Sequence, residues 1–394
     1  MLKKVNIYDG NRFDFEGHIN EFLLRREEAR ALESFLVVVE PGKQTHLHSH
    51  QEMEQLFLVV AGQGVVSDGG GGQVLTMNRN DLIFVPTEQP HQIRAVSTDQ
   101  ALVYVCINGF QSGALAAATS LAHAEGVVKR YNMGDCAKRT LWRRPIMIAG
   151  SSGHLGTALA GHYLDQRNTV WGFDAEPAPG LTDGAHAARW AFRGVDLRDE
   201  RGVEAAFRSL VEEAGSVPRA LICAAGMTDR HASVLATSAD AVRAQIDANF
   251  VSNFNIARTY ARSVTDRGLS GSIVFLGSAG ATRSHRHQCA YDAAKAALES
   301  LCRTMALELS PKGISVNTVA IGPIEDSPSS RKDAVHRDAL RQLVPIGRYA
   351  SLDEVCRIID AVVSMETPYF TGQTLTADGG LTVQLRPAAI ERTQ

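Results

Sequence analysis

Tyr291 and Lys295 stand four residues apart in Tyr-Asp-Ala-Ala-Lys, inside a run rich in alanine and leucine that reads as a helix over 291–310. Residues at that spacing share a helix face, so a phenol and an ammonium lie on neighbouring turns. A nearby cation favours phenolate. The spacing therefore predicts a tyrosine pKa drawn down from about 10 toward the range of a working proton donor or acceptor. A second reactive group lies far upstream, where His46, His48 and His50 alternate and His91 follows later. In an extended chain the three alternating rings point to one face. Imidazoles converging there suit a mid-row divalent metal such as iron, zinc, nickel or manganese.

A third stretch binds rather than reacts. Apolar Ile146–Ala149 reads as a buried strand, followed by Gly150-Ser-Ser-Gly153-His-Leu-Gly156 and a helix over 157–165. Glycines at a strand-to-helix turn let the backbone approach a pyrophosphate, whose charge meets the N–H groups at the helix start. The next apolar strand ends in Asp174, eighteen residues past Gly156. A carboxylate there accepts the adenosine ribose hydroxyls of NAD. With Glu176 close behind and no Arg or Lys beside it, the position repels a 2′-phosphate, which favours NAD over NADP.

Two kinds of element position these residues. From Ser34 to Asn108, short β-branched runs alternate with turns: 34–40, 55–61, 64–67, 74–77, 81–85 and 101–107. Many short strands at regular spacing imply a sandwich or small barrel. Asp68-Gly-Gly-Gly-Gly72 serves there as a hairpin connection, since no helix follows it. Beyond residue 143, strand and helix alternate: a third strand ending at Asp196-Leu197, a helix at 204–214, a strand turning at Gly226, a long helix at 239–264 carrying Asn249, a strand leading to Ser278, the 291–310 helix and a strand at 314–319. Such alternation specifies an α/β doubly wound parallel sheet, the Rossmann arrangement. The domain reading is thus an all-β unit over 1–125, closed by a helix at 113–124, a linker over 126–142, and a dinucleotide-binding unit over 143–394.

A chain of 394 residues accommodates two domains. With 40 basic and 43 acidic residues it offers no electrostatic case for nucleic acid or an anionic membrane. The basic run Lys138-Arg139…Arg143-Arg144 reads as a solvated linker. Six scattered cysteines lack any C-x-x-C pair, which argues against a disulfide framework or a zinc knuckle. The N-terminus lacks the apolar core of a signal peptide, and no apolar run approaches the roughly 20 residues of a membrane span. A soluble protein of a reducing, cytoplasmic compartment is expected.

The histidine region resembles the cupin family, whose motifs are G-x5-H-x-H-x3,4-E-x6-G and P-x-G-x2-H-x3-N. Gly42, His48, His50, Gly62, Pro86 and His91 fit; Glu88 and Ala95 replace the second motif's glycine and asparagine. Counting back from Gly62 puts Gln55 at the carboxylate ligand position, whereas the shorter spacing puts Glu54 there. The Gly62 count favours Gln55. The resemblance implies a cupin β-barrel and a metal held by His48, His50, Gln55 and His91.

Residues 143 to 385 resemble the short-chain dehydrogenases/reductases. The family's Asn–Ser–Tyr–Lys tetrad maps onto Asn249, Ser278, Tyr291 and Lys295, with Ser278 thirteen positions before Tyr291. Its N-N-A-G turn is partly kept as Cys223-Ala224-Ala225-Gly226, and Val316-Asn317, Gly322, Thr371-Gly-Gln373 and Asp378-Gly-Gly380 match its C-terminal stretches. The glycine loop fits the T-G-x2-G-x2-G variant, with His154 where the commoner form has glycine. The resemblance implies a cofactor cradle from Gly150, Ser152, Gly153, His154, Leu155, Gly156, Asp174, Asp196, Leu197, Ala224, Ala225, Gly226 and Ile324, joined by Tyr291 and Lys295. It implies Tyr291 as acid or base, Lys295 lowering its pKa and holding the nicotinamide ribose, Ser278 bonding the substrate oxygen and Asn249 supporting a proton path.

Between Ser278 and Tyr291, the loop carries Arg283, His285, Arg286 and His287. These suggest a carboxylated, phosphorylated or polyhydroxylated small-molecule substrate rather than a lipid. Residues 324–340 read as a lid. The expectation is an alcohol–carbonyl oxidoreductase for a sugar-like or acidic metabolite. Its cupin either acts on the same or an adjacent metabolite, by isomerisation, epimerisation or metal-dependent oxidation, or serves as a binding or assembly module. An NAD-binding regulator is a third reading, against which Ser278, Tyr291 and Lys295 argue. Alanine-rich helices suggest a homo-oligomer, a dimer or tetramer.

Overall fold

A computed structural model describes residues 11–15, 18–24, 32–51, 53–97, 100–110, 144–166, 168–178, 180–181, 184–228, 232–325, 334–365 and 369–385. The expected helix at 113–124, the linker and Lys138, Arg139 and Arg143 lie outside them, as do residues 326–333 of the proposed lid. The chain divides into two compact units, Met1–Trp142 and Arg143–Gln394. Among the described residues no helix is long and apolar enough to cross a membrane.

The first unit is antiparallel throughout. Its strands are β1 (Asn11–Phe15), β2 (His18–Leu24), β3 (Leu32–Val39), β4 (Met53–Ala61), β5 (Gly64–Ser67), β6 (Val74–Met77), β7 (Leu82–Val85), β8 (Gln92–Ala95) and β9 (Leu102–Phe110). They form a six-stranded sheet, β1-β2-β3-β9-β4-β7, and a three-stranded sheet, β6-β5-β8. Sequence reasoning missed β1, β2 and β8; in β8 only Ile93 and Ala95 point inward, too short an alternation to read. The core lies between the sheets: Phe35, Val37, Phe57, Val59 and Tyr104 of the larger meet Val66, Met77 and Ile93 of the smaller. Strand β4 alternates cleanly, burying Gln55, Phe57 and Val59 while Leu58 faces out.

The motif residues of this unit are explained by backbone conformation. Gly62 sits at φ +74°, where a Cβ would lie 2.1 Å from the Ala101 carbonyl oxygen. Glu88, standing where the second motif has glycine, nonetheless takes φ +63°. A non-glycine residue there carries backbone strain.

The second unit is a seven-stranded sheet in the order β12-β11-β10-β13-β14-β15-β16, parallel at every pairing. Its elements in chain order are β10 (Ile146–Ala149), α1 (His154–Asp165), β11 (Val170–Asp174), β12 (Trp190–Gly194), α2 (Glu200–Ala214), β13 (Ala220–Cys223), α3 (Ala239–Ile246), α4 (Ser252–Thr265), β14 (Gly271–Ser278), α5 (Cys289–Leu309), β15 (Ile314–Ile321), α6 (Ala334–Leu343), α7 (Leu352–Val363) and β16 (Thr374–Ala377). Strands β10, β13 and β15 are buried along their whole length, as a sheet covered on both faces requires. One face packs Phe207, Ile256, Tyr260 and Leu298; the other packs Leu159, Tyr163, Val355 and Ile359. The third strand ends at Gly194, before Asp196-Leu197, with Val195 N–H donating the last bond of the pairing to the Asp174 carbonyl. Strand order reverses between β10 and β13, so the carboxyl ends of these two strands open a crevice.

Arg144, expected to be solvated, instead donates to the carbonyls of Val217, Ser270 and Pro218 at 2.7–2.9 Å. It fastens the amino-terminal edge of the sheet opposite the crevice. Gly62→Ala is expected to destabilise the protein by about 1–3 kcal/mol from backbone strain alone, read as a lowered midpoint in equilibrium urea unfolding; an unchanged midpoint contradicts the requirement.

Candidate active site

The glycine loop meets the switch point through its own smallness. Gly150 takes φ +82°, and a Cβ on it would lie 2.5 Å from Ala225 N; one on Gly156 would lie 2.0 Å from the Gly150 carbonyl oxygen. Helix α1 begins at His154 with no side-chain cap and no acidic residue in its first turn. Its leading N–H groups therefore face no competing anion, which is what a pyrophosphate needs. Leu155 packs on the adjacent core, and Ala224 N–H donates to Ala149 O at 2.8 Å. Asp174 accepts from Ser152 N–H at 3.0 Å and from Ala175 N–H at 2.8 Å. Each carboxylate oxygen keeps a further lone pair for a hydroxyl donor. Asp196 is engaged differently: Arg198 donates to both its oxygens and holds its carboxyl below the usual range. Leu197 is buried, and Ile324 pairs with Ala350. A dinucleotide fits this cradle, because the volume that side chains would occupy is left to backbone.

The four expected catalytic side chains come together beside that cradle. Ser278, the last residue of β14, lies near enough to the Tyr291 hydroxyl to lower its pKa. The Lys295 ammonium lies 5.7 Å from the Tyr291 ring centroid and donates to the Leu276 carbonyl at 2.9 Å. A Cβ on Gly226 would sit 2.5 Å from Asn249 Oδ1 and 3.6 Å from Lys295 Nζ, so a larger residue there would have to displace the Asn249 amide. The expected long helix is interrupted at Asn249: Ser252 N–H reaches back five residues to Asp247 O, a widened turn linking α3 to α4. Widened turns of this kind recur at functional sites. The turn frees the Asn249 carbonyl, which accepts from Asn253 Nδ2 at 2.7 Å, while Asn253 also reaches Ala225 O at 2.9 Å. Gln245 holds the Asn249 side chain from the preceding turn at 3.0 Å. Sequence reasoning missed Asn253 and Gln245, although each stands four residues from Asn249 and shares its helix face.

One electrostatic expectation is overturned. Tyr291 has a raised pKa, not a lowered one: burial pushes it up, with Asp292 adding to the rise and the neighbouring Ser278 opposing it. The lysine yields instead. Burial pulls Lys295 down to about 8, because an ammonium loses more hydration in that site than its carbonyl partner returns.

The loop before Tyr291 divides its side chains. His285 is tied to Asp292 through its backbone N–H at 2.6 Å and its ring Nδ1 at 2.9 Å. Arg283 donates to the Thr382 carbonyl at 3.3 Å. These two therefore brace the loop. Arg286 and His287 are exposed, and His287 takes φ +66°.

In the first unit, one ring nitrogen from each of His48, His50 and His91 lies within 4.8 Å of the others. His48 Nδ1 bonds the His46 carbonyl at 2.7 Å and His91 Nδ1 bonds the Gln89 carbonyl at 3.0 Å. A carbonyl only accepts, so both Nδ1 atoms carry the proton and both Nε2 atoms keep a lone pair. Burial, with the neighbouring imidazoles, holds His50 down to about 4, and burial, reinforced by His48, does the same for His91. These rings are neutral at neutral pH, the form that ligates. His46 is outside the cluster, contrary to the alternation expected of it, because its carbonyl serves His48 while its side chain is exposed. Gln55 faces the barrel interior, whereas Glu54, on the opposite parity of β4, is only partly buried. Gln55 Oε1 and His50 Nε2 are both buried without a hydrogen-bond partner. Such orphaned acceptors fit a metal.

A family model described as enoyl-(acyl carrier protein) reductase matches residues 152–382, more than half of the chain. The chain belongs to the short-chain dehydrogenase/reductase family. A cupin-domain model matches residues 35–108 of the same chain. Carbonyl reductase family member 4 of Danio rerio is 31% identical over 186 residues, 47% of this chain and 75% of that protein. The 3-oxoacyl-(acyl-carrier-protein) reductase FabG of Rickettsia conorii is 27% identical over 237 residues, 60% of this chain and 95% of that protein. Among solved structures, a gluconate 5-dehydrogenase from Burkholderia cenocepacia J2315 in complex with NADP and tartrate is 27% identical, with a TM-score of 0.57, covering 61% of this chain and 96% of that one. The protein is thus a short-chain dehydrogenase/reductase joined to a cupin.

The buried lysine of this dehydrogenase makes its stability depend on pH. The folded pKa of about 8 lies below the ordinary 10.5, so between those values the unfolded chain binds more protons. Stability from this group therefore rises as pH climbs through that window. Replacing Lys295 by Met removes the dependence. Relative to wild type, the variant's melting temperature is expected to be more favourable at pH 7 than at pH 10; equal differences at both values contradict the burial assignment.

Proposed function

We propose that the C-terminal unit interconverts an alcohol and a carbonyl on a small polar metabolite, using NAD in preference to NADP. The juxtaposition of Ser278 and Tyr291, with Lys295 5.7 Å from the tyrosine ring centroid at the switch point of the sheet, carries this reading. Gly150, Gly153 and Gly156 would hold the pyrophosphate, Asp174 the adenosine ribose, and Lys295 the nicotinamide ribose. The cofactor, when bound, supplies or accepts the hydride. Gly280 N–H donates to Ser278 Oγ at 3.1 Å, which fixes the serine hydroxyl beside Tyr291, where a substrate oxygen would be held. With its pKa raised, Tyr291 is a phenol at neutral pH and acts there as the proton donor of carbonyl reduction. Oxidation calls for the phenolate and gains as pH rises. Exposed Arg286 and His287 suit a carboxylated or polyhydroxylated substrate, a class to which the tartrate held by the structural relative also belongs.

The cupin is read as a site for a mid-row divalent cation such as iron, zinc, nickel or manganese, held by His48, His50, His91 and Gln55. The two orphaned acceptors, His50 Nε2 and Gln55 Oε1, support this. A bound cation would supply Lewis acidity there.

Tyr291→Phe is expected to lower kcat by about 10²–10⁴-fold, the usual contribution of a positioned proton donor, while NADH binding by fluorescence titration stays unchanged. Turnover at the wild-type rate in that variant would sink the assignment. For the cofactor, Asp174→Ala should reduce the NAD-over-NADP ratio of kcat/KM by about tenfold or more, since one 2′-phosphate repulsion and one ribose contact are lost together. A wild-type preference for NADP would reverse the reading.

A further inference from the structure

Behind the histidine cluster, the cupin barrel buries a row of polar side chains that metal ligation by itself does not explain. Glu33 on β3 is 1% exposed, Asn108 on β9 is fully buried and Gln55 on β4 is 5% exposed. Asn108 Nδ2 donates to Glu33 Oε1 at 2.7 Å, and Gln55 Nε2 donates to Asn108 Oδ1 at 3.0 Å. The Cys106 thiol lies beside both, 3.3 Å from Asn108 Oδ1 and 3.6 Å from Gln55 Nε2.

The row has a direction, and one end imposes it. A carboxylate accepts and does not donate. Asn108 must therefore turn its NH2 toward Glu33 and its oxygen toward Gln55. That oxygen also accepts only, so Gln55 must offer its NH2. What remains is Gln55 Oε1, buried and without a partner. Gln55 and Phe57 share the buried face of β4, and the Phe57 ring centroid lies 5.9 Å from that of His91, so the glutamine stands on the face of the barrel interior that also meets the histidines. We propose that Glu33, acting through Asn108, is a positioning residue that fixes the Gln55 amide with its carbonyl oxygen toward His48, His50 and His91. The donor set is then three imidazole nitrogens and one amide oxygen, all neutral, and a divalent cation keeps its full charge. The counter-charge sits two hydrogen bonds away on Glu33. This inference rests on the metal reading of the cupin and deepens it.

The test compares Co2+ affinity of the full-length protein, by chelator competition and by the visible d–d spectrum, across five chains: wild type, His48→Ala, Glu33→Gln, Gln55→Met and the double variant Glu33→Gln/Asn108→Asp. Glu33→Gln lets both amides turn over and present an NH2 to the metal. It should weaken Co2+ binding about 10–100-fold, as loss of an outer-shell partner does, and shift the spectrum. In the double variant the new amide at position 33 donates to a carboxylate at position 108, which again accepts from Gln55. The direction of the row is restored, and affinity and spectrum should return close to wild type. A purely packing role for Glu33 would not be repaired by a second substitution. Wild-type affinity and spectrum in Glu33→Gln, or no recovery in a double variant folded by circular dichroism, would overturn the proposal. If Glu33→Gln does not fold, Gln55→Met decides: loss of affinity there supports the oxygen ligand, and undiminished affinity refutes it. Equal Co2+ binding by wild type and His48→Ala, or none by either, instead overturns the metal reading itself and the proposal with it.

Discussion

The dehydrogenase unit is arranged around the burial of a single ammonium. Lys295 is 7% exposed and donates to the Leu276 carbonyl, one residue beyond the last pairing of β14 with β13. That contact requires α5 to start where it does, so that Lys295 reaches the strand while Tyr291, one turn earlier, reaches Ser278. Glycine at 226 leaves the Asn249 amide in place, since a methyl group there would press on it. Desolvation dominates the electrostatics of the site. It pulls the lysine down and pushes the tyrosine up, so the ammonium becomes the more acidic of the two groups and the phenol keeps its proton for the reaction.

A related constraint governs the cupin unit. Its barrel carries polar groups where an apolar core would cost less, and each must find a partner inside. His48 and His91 donate their Nδ1 protons to nearby carbonyls, and the Glu33–Asn108–Gln55 row satisfies all but one acceptor. One ring nitrogen from each of His48, His50 and His91 lies within 4.8 Å of the others.

Much of the fold was legible because its signals are local. Apolar runs such as Ile146–Ala149, glycines at strand ends and alternation in β4 are consequences of backbone geometry that neighbouring residues reveal. Cupin and dehydrogenase motifs were legible for the same reason: Gly62 and Gly150 are glycines because chain approaches at those points leave no room for a Cβ. Strand β8 was not legible, since two inward residues make no period. Nor was the widened turn at Asn249, whose sequence is ordinary helix; the turn follows from the Asn253 side chain bridging to Ala225 across the fold.

By itself the sequence determined the two-unit architecture and the strand–helix alternation of the second unit, and it singled out the tetrad and the histidines as candidates. These depend on residue type and spacing along the chain. Tertiary structure decided the rest. It made Tyr291 a weaker acid rather than a stronger one, because burial, and not the spacing to Lys295, sets the dominant energy. It assigned Arg283 and His285 to bracing the loop and Arg144 to the sheet edge, because their partners lie far off in sequence or across a turn. It turned Gln55 inward and oriented its amide, because Asn108 and Glu33 arrive from strands 53 and 75 residues apart from their partners. Hydrogen-bond polarity between distant strands is not written in any local pattern; it exists only once the strands are paired.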